Sequence, residues 1–199
     1  ILCENETLTL NAGINNVSYL WSTSETTNTI TITSPGIYSV LVTDLTPQGC
    51  SSTKTFTVTQ NDLPVIDDVL INGTTATIIV STFGDYEYSI DGVSYQTYNV
   101  FTVSEGGLYK AMVRGKNNCG FDFKEFAVIT IPSFFTPNGD GFNDNWTIKG
   151  LIYYPKAKVT IFNRFGKLIK QLNAEDNYWD GTLNNQLLLS DDYWFTFKK

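Results

Sequence analysis

Apolar and polar residues alternate along much of this chain, and the period is two. In "TITIT", Thr29 to Thr33, the isoleucines fall on one side and the threonines on the other. After Ser34-Pro35, "GIYSVLVTD" places Tyr38, Val40 and Val42 on one face, the pattern of a half-buried strand. Upstream, "VSYLWS" puts Tyr19 and Trp21 on a shared face and predicts a core aromatic pair. "TATIIV" from Thr75 predicts a further strand, and "YEYSIDGVSYQ" from Tyr86 reads as strand, Asp91-Gly92 turn, strand. "AKVTIFNRFGKLIKQL" predicts two strands around Asn163–Gly166, with Val159 and Ile161 facing one way. A turn at Trp179-Asp180-Gly181 precedes a last strand, "DDYWFTF". No long apolar stretch has helical spacing, and none approaches the roughly 18 consecutive apolar residues of a membrane span.

Turn signals and chain breaks divide these strands into three groups, at 1–61, 62–131 and 132–199. "GGLYKAMVRGKNNCG" in the second echoes the first: Gly107, Tyr109, Val113 and Cys119 track Gly36, Tyr38, Val42 and Cys50. The spacing differs by two residues, so architecture repeats rather than sequence. Short strands at regular intervals with turns between them predict an all-β fold, a tandem array of three small Ig-like β-sandwich domains.

Composition narrows the chemistry. The 199 residues carry a net charge of -7, which argues against a nucleic-acid partner, since phosphate binding needs a basic face. Histidine is absent, so neither a Ser/His/Asp nor a Cys/His arrangement can form and a structural zinc site is not expected. Adjacent carboxylates such as Asp67-Asp68 and Asp191-Asp192 point to opposite faces of a strand and do not straddle a substrate. The expectation is a non-enzyme without a cofactor. Of the three cysteines, Cys3 and Cys50 flank the first group and suggest a disulfide, with two separate thiols as the alternative. Cys119 then reads as an idle thiol. "ILCENETLTL" has no signal-peptide character and looks like mid-chain sequence, so a fragment of a longer protein is expected.

One loop is dense in candidate ligands. "FFTPNGDGFNDNW", Phe134 to Trp146, offers Asn138, Asp140, Asn143 and Asp144 as hard oxygen donors that suit calcium. An EF-hand pattern is not met. The alternative is a rigid turn in which Asn and Asp cap backbone groups while Gly139 and Gly141 take positive φ. On either reading Phe134 and Phe135 enter a strand and Trp146 returns to the core. Trp146, Trp179 and Trp194 with nearby tyrosines read either as a sandwich core or as a sugar-stacking platform.

"FFTPNGDGFNDNWTI", "KVTIFNRFGKLI", "YWDGTLNNQLL" and "DDYWFTF", in that order, resemble the type B C-terminal domain of type IX secretion cargo, a family that includes gliding-motility adhesins of the Bacteroidota. The second group resembles short repeats of giant surface adhesins, and the first resembles Ig-like or PKD-like spacers. The resemblance implies a folded export signal at 132–199, and a partnership with the type IX translocon and a PorP/SprF-type outer-membrane β-barrel protein. It also implies display at the cell surface, with adhesive modules as cargo. Trp179, Asp180, Tyr193 and Trp194 are the expected recognition residues. Two departures stand out: Asp191-Asp192-Tyr193 replaces a Gly-Thr-Tyr, and the usual hairpin beyond the last strand has no counterpart before Lys199. Either the last strand of the domain is truncated at Lys199, or the second departure leaves an unpaired sheet edge.

Overall fold

A computed structural model describes residues 1–198. Every regular element among them is a strand, except one 3-10 turn at Leu151–Tyr153. The all-β class expected from the alternation is therefore what the chain adopts. Contacts divide it into two compact units. The first gathers Ile1–Asp67, Val80–Glu87 and Val113–Asp122; the second gathers Asp68–Ile79, Tyr88–Met112 and the chain from Phe123 onward. The segment 62–131 thus contributes to both.

In the first unit, β1 (Leu2–Cys3), β2 (Leu8–Asn11), β3 (Val17–Trp21), β4 (Thr29–Ile32), β5 (Gly36–Asp44), β6 (Ser51–Val58) and β7 (Gln60–Asn61) follow in order. β2 pairs with β4, and β3, β5 and β6 form a three-stranded sheet. One face of each sheet is buried because the sequence alternates: Leu10, Ile30 and Ile32 from one and Trp21, Val40, Val42 and Val58 from the other belong to a single core. Tyr19 packs partly buried against it, and Trp21 stacks on Phe56 at 5.6 Å. Lone Ig-like pairing of Cys3 with Cys50 does not occur. Cys3 is bonded to Cys119, and Cys50 is free and exposed. The reason is register. Cys3 lies opposite Asn61, beyond the C-terminal end of β6, whereas Cys50 sits at the turn before β6 begins. An eight-residue strand separates those two places by roughly 25 Å. Cys119 lies in the turn after Gly115, where Asn118 and Gly120 both take positive φ.

The following strands are β8 (Ile66–Asn72), β9 (Thr75–Val80), β10 (Tyr86–Ser89), β11 (Val100–Thr102), β12 (Gly107–Gly115) and β13 (Phe121–Val128). They form two three-stranded sheets, ordered β11-β9-β8 and β10-β12-β13. The chain bends at Asp91-Gly92 as expected, but the strand expected after it is reduced to one bridge of Tyr88 with Gln96. The bend is held by Asp91 Oδ1, which accepts from the amides of Val93 and Ser94 and from the Ser89 hydroxyl. Those bonds hold the Asp91 carboxyl far below the usual carboxylate range, the Val93 amide contributing most.

The C-terminal strands are β14 (Trp146–Thr147), β15 (Lys158–Asn163), β16 (Leu168–Leu172), β17 (Tyr178–Trp179), β18 (Thr182–Leu183), β19 (Gln186–Leu187) and β20 (Tyr193–Lys198). The main sheet is ordered β16-β15-β20, and β14 pairs with β17. Val159 and Ile161 of β15, Ile169 and Leu172 of β16, and Trp146 and Trp179 of the short pair bury together in one core. This part of the second unit is bound closely to the residues before it. Thr130 and Lys149 form an antiparallel bridge, and the Gly106 amide donates to the Thr130 hydroxyl at 2.8 Å. A Cβ on Gly106 would lie 2.2 Å from the Lys149 carbonyl oxygen, so only glycine permits that approach.

Candidate functional site

The densest grouping of polar and aromatic candidates lies between Pro132 and Phe195. The backbone leaves Thr130 without forming a strand over 134–145, contrary to the expectation for Phe134 and Phe135. Instead Phe135 packs on Trp179 at 5.2 Å, while Phe134 stays largely exposed. Trp146 does return to the core, and its indole Nε1 donates to the Pro132 carbonyl.

Between them the loop closes on its own carboxylates. Asp144 accepts from three amides: Asn138 N and Gly139 N at Oδ1, at 3.1 and 2.7 Å, and Gly141 N at Oδ2, at 2.8 Å. Asp140 accepts from Phe142 N at Oδ1 and from the Asn138 side-chain amide at Oδ2. The Phe142 amide, then Asn138, hold the Asp140 carboxyl below its ordinary value. Asn138 Oδ1 in turn accepts from the Asp140 amide. Gly139, Gly141 and Asn143 all adopt positive φ, which lets successive amides converge on Asp144. Asn143 contributes its main chain: its carbonyl accepts from the Thr136 amide at 2.8 Å. Side-chain bonds within the loop therefore bring Asn138, Asp140 and Asp144 together, whereas Asn143 joins through its main chain. No group of three or more acidic, Cys or His side chains able to hold a metal occurs among the described residues.

The four expected recognition residues separate by exposure. Trp179 is 2% exposed, its Nε1 donates to the Thr182 carbonyl, and its ring meets Tyr193 edge-on at 4.9 Å. It is a core residue and offers no surface to a partner, which corrects the expectation. Asp180 accepts from both the amide and the hydroxyl of Thr182, closing the turn into β18; the Thr182 amide chiefly lowers its pKa. Tyr193 is half-buried, and burial followed by the nearby Asp191 charge raises its phenol above the ordinary value. Trp194 is 67% exposed. A groove of about 540 Å³ opens between these elements, with Trp146, Ile161 and Trp179 deepest and Phe134, Leu187 and Leu189 at its lip.

Residues 129–199 match the family model described as CHU_C Type IX secretion signal domain. The C-terminal segment is a type IX secretion signal domain. No curated protein matches the chain. A protein carrying this signal is exported, and the type IX secretion machinery is its partner. No helix among the described residues is long and apolar enough to cross a membrane. The matched range begins before Ile131-Pro132. It thus takes in Thr130, whose bridge to Lys149 and bond to Gly106 bind the signal domain to the chain ahead of it. Sequence reading missed that attachment, because a glycine chosen for close backbone approach looks like any other glycine until its neighbour is known. The two-residue pairing of Trp146 opposite Trp179 was equally invisible, being too short to show a period.

Proposed function

We propose that the chain belongs to a secreted cell-surface adhesin of a gliding member of the Bacteroidota. In this reading the signal domain is a folded export signal, recognised by the type IX translocon together with a PorP/SprF-type outer-membrane β-barrel protein. The observation that carries the proposal is the family match over residues 129–199. Three Ig-like modules, the preceding two as spacers or adhesive segments, belong to this reading, and the two-sheet core of the first part supports the first of them. The protein acts by recognition rather than catalysis, in keeping with the absence of histidine. The Asn138–Asp144 loop serves as a structural turn that fixes Phe135 and Trp146, with calcium as the alternative occupant.

The test is export of the full chain fused behind a fluorescent reporter in a type IX-competent cell, compared with the same fusion ending at residue 128. Surface delivery of the first and periplasmic retention of the second are expected. Equal delivery of both removes the signal role. A carbohydrate-binding array, or accessory domains of a secreted hydrolase, is the competing reading, favoured only by the aromatic groove. Glycan-array binding lost on Trp194→Ala, with folding intact, would support it.

A further inference from the structure

Two dipeptides of the loop between Phe134 and Trp146 carry a chemical liability. In Asn138-Gly139 and Asp140-Gly141 the glycine nitrogen can close on the Cγ of the residue before it, since glycine has no side chain to hinder the approach. The five-membered ring so formed is a succinimide. All four residues are exposed to water. An added Cβ would meet nothing within 4 Å at either glycine, so no packed neighbour stands in the way. Hydrogen bonds restrain both pairs instead, and in the same manner. Gly139 N donates to Asp144 Oδ1 at 2.7 Å, and Gly141 N donates to Asp144 Oδ2 at 2.8 Å. Asn138 Oδ1 accepts from the Asp140 amide at 3.1 Å, and Asp140 Oδ1 accepts from the Phe142 amide at 2.8 Å. Each nitrogen able to attack therefore points its proton at one oxygen of a single carboxylate.

We propose that Asn138 is a latent deamidation site and that Asp144 guards it, together with Asp140-Gly141, against succinimide formation. Ring closure at Asn138 requires the Gly139 nitrogen to give up its proton and turn its lone pair onto Cγ. The N–Cγ bond then forms and the Cγ–Nδ2 bond breaks. The proton, passed through water, departs on Nδ2 as ammonia. Water opens the ring to aspartate or isoaspartate. Asp144 opposes the first step in two ways. A hydrogen bond to a carboxylate favours the protonated nitrogen, and a nitrogen anion left there would face a like charge at close range. Turning the nitrogen toward Cγ also breaks the bond. Closure of Gly141 N on Asp140, which expels water, meets the same obstacle at Oδ2. Loss of the guard spreads. Deamidation replaces the Asn138 side-chain donor to Asp140 with a carboxylate and sets a third negative charge beside Asp140 and Asp144. The inference concerns the chemical endurance of the loop and stands whether or not the domain directs export.

The experiment incubates the purified chain at mildly alkaline pH and follows Asn138 by peptide mass mapping, with isoaspartate resolved by chromatography. Asn72-Gly73, the other Asn-Gly pair of the sequence, serves as an internal clock. Asn138 should deamidate at least about tenfold more slowly in the native chain than in the chain unfolded in urea, the factor set by one charge-assisted hydrogen bond. Asp144→Ala should recover most of the unfolded rate at Asn138, start isoaspartate formation at Asp140 and leave Asn72 unchanged. Asp144→Asn, which offers Gly139 a neutral acceptor, should fall between the two and carries the test if the alanine variant does not fold. Asp140→Ala loosens the loop but leaves Gly139 N on Asp144, so its effect at Asn138 should be well below that of Asp144→Ala. Near-ultraviolet circular dichroism confirms that each variant is folded. Equal rates at Asn138 in native and unfolded wild type, an unchanged rate in both folded Asp144 variants, or equal acceleration by Asp140→Ala would each overturn the proposal.

Discussion

Asp144 holds three backbone amides of one loop. The consequence is a loop whose shape depends on a carboxylate rather than on packing. Asp144→Ala should lower stability by about 1–2 kcal/mol, the usual scale when charged acceptors are withdrawn from amides that water can partly reach. Thermal melting of the wild type with calcium and with chelator decides whether an ion takes part. Equal midpoints are expected, whereas a calcium-dependent rise that Asp144→Ala abolishes would install a cation in the loop. The composition of Asn138–Asp144 pointed to a polar turn rich in oxygen acceptors. What it could not convey was the target, because amides in positive-φ turns and a divalent ion attract the same atoms.

At the level of strands, two similar dipeptides have opposite fates. In Tyr178-Trp179 the tryptophan is buried and the tyrosine is 45% exposed; in Tyr193-Trp194 the tyrosine faces inward and the tryptophan is 67% exposed. Alternation predicts that the two neighbours diverge but not which one turns inward, since that phase is set by pairing. Trp179 lies opposite Trp146 on β14, while Tyr193 lies opposite Asn163 and Trp194 opposite Phe162 on β15. Trp179→Ala should therefore cost about 3–5 kcal/mol by denaturant unfolding. Trp194→Ala should stay within about 1 kcal/mol of wild type. The longer strands, β5, β9, β15 and β20, were readable because they span several periods. β14 and β17 are two residues each and follow from tertiary packing alone.

Across the whole molecule, the sequence conveyed the all-strand character and the export signal, but not the covalent link. Local symmetry suggested that Cys3 and Cys50 belong together, since both flank the same group of strands. Pairing of β1 with β7 carries Cys3 to the other end of β6, and the bond forms with Cys119 instead. Peptide mapping without reduction should join the fragments containing Cys3 and Cys119 and leave Cys50 open to alkylation. For a sequence separation of 116, Cys119→Ser should cost about 4–5 kcal/mol on the chain-entropy account. Cys50→Ser should change stability by less than about 0.5 kcal/mol. An exported protein meets compartments that sustain such a bond. The bond also acts as a mechanical short circuit. Tension applied at the N-terminus passes through sulfur from residue 3 to residue 119 and bypasses the stretch between them, a sequence separation of 116. Unravelling that stretch would otherwise release about 390 Å of contour, at roughly 3.4 Å per residue. Under load, the oxidised chain is a short, inextensible tether over that region, and only a reductant turns it into a long one.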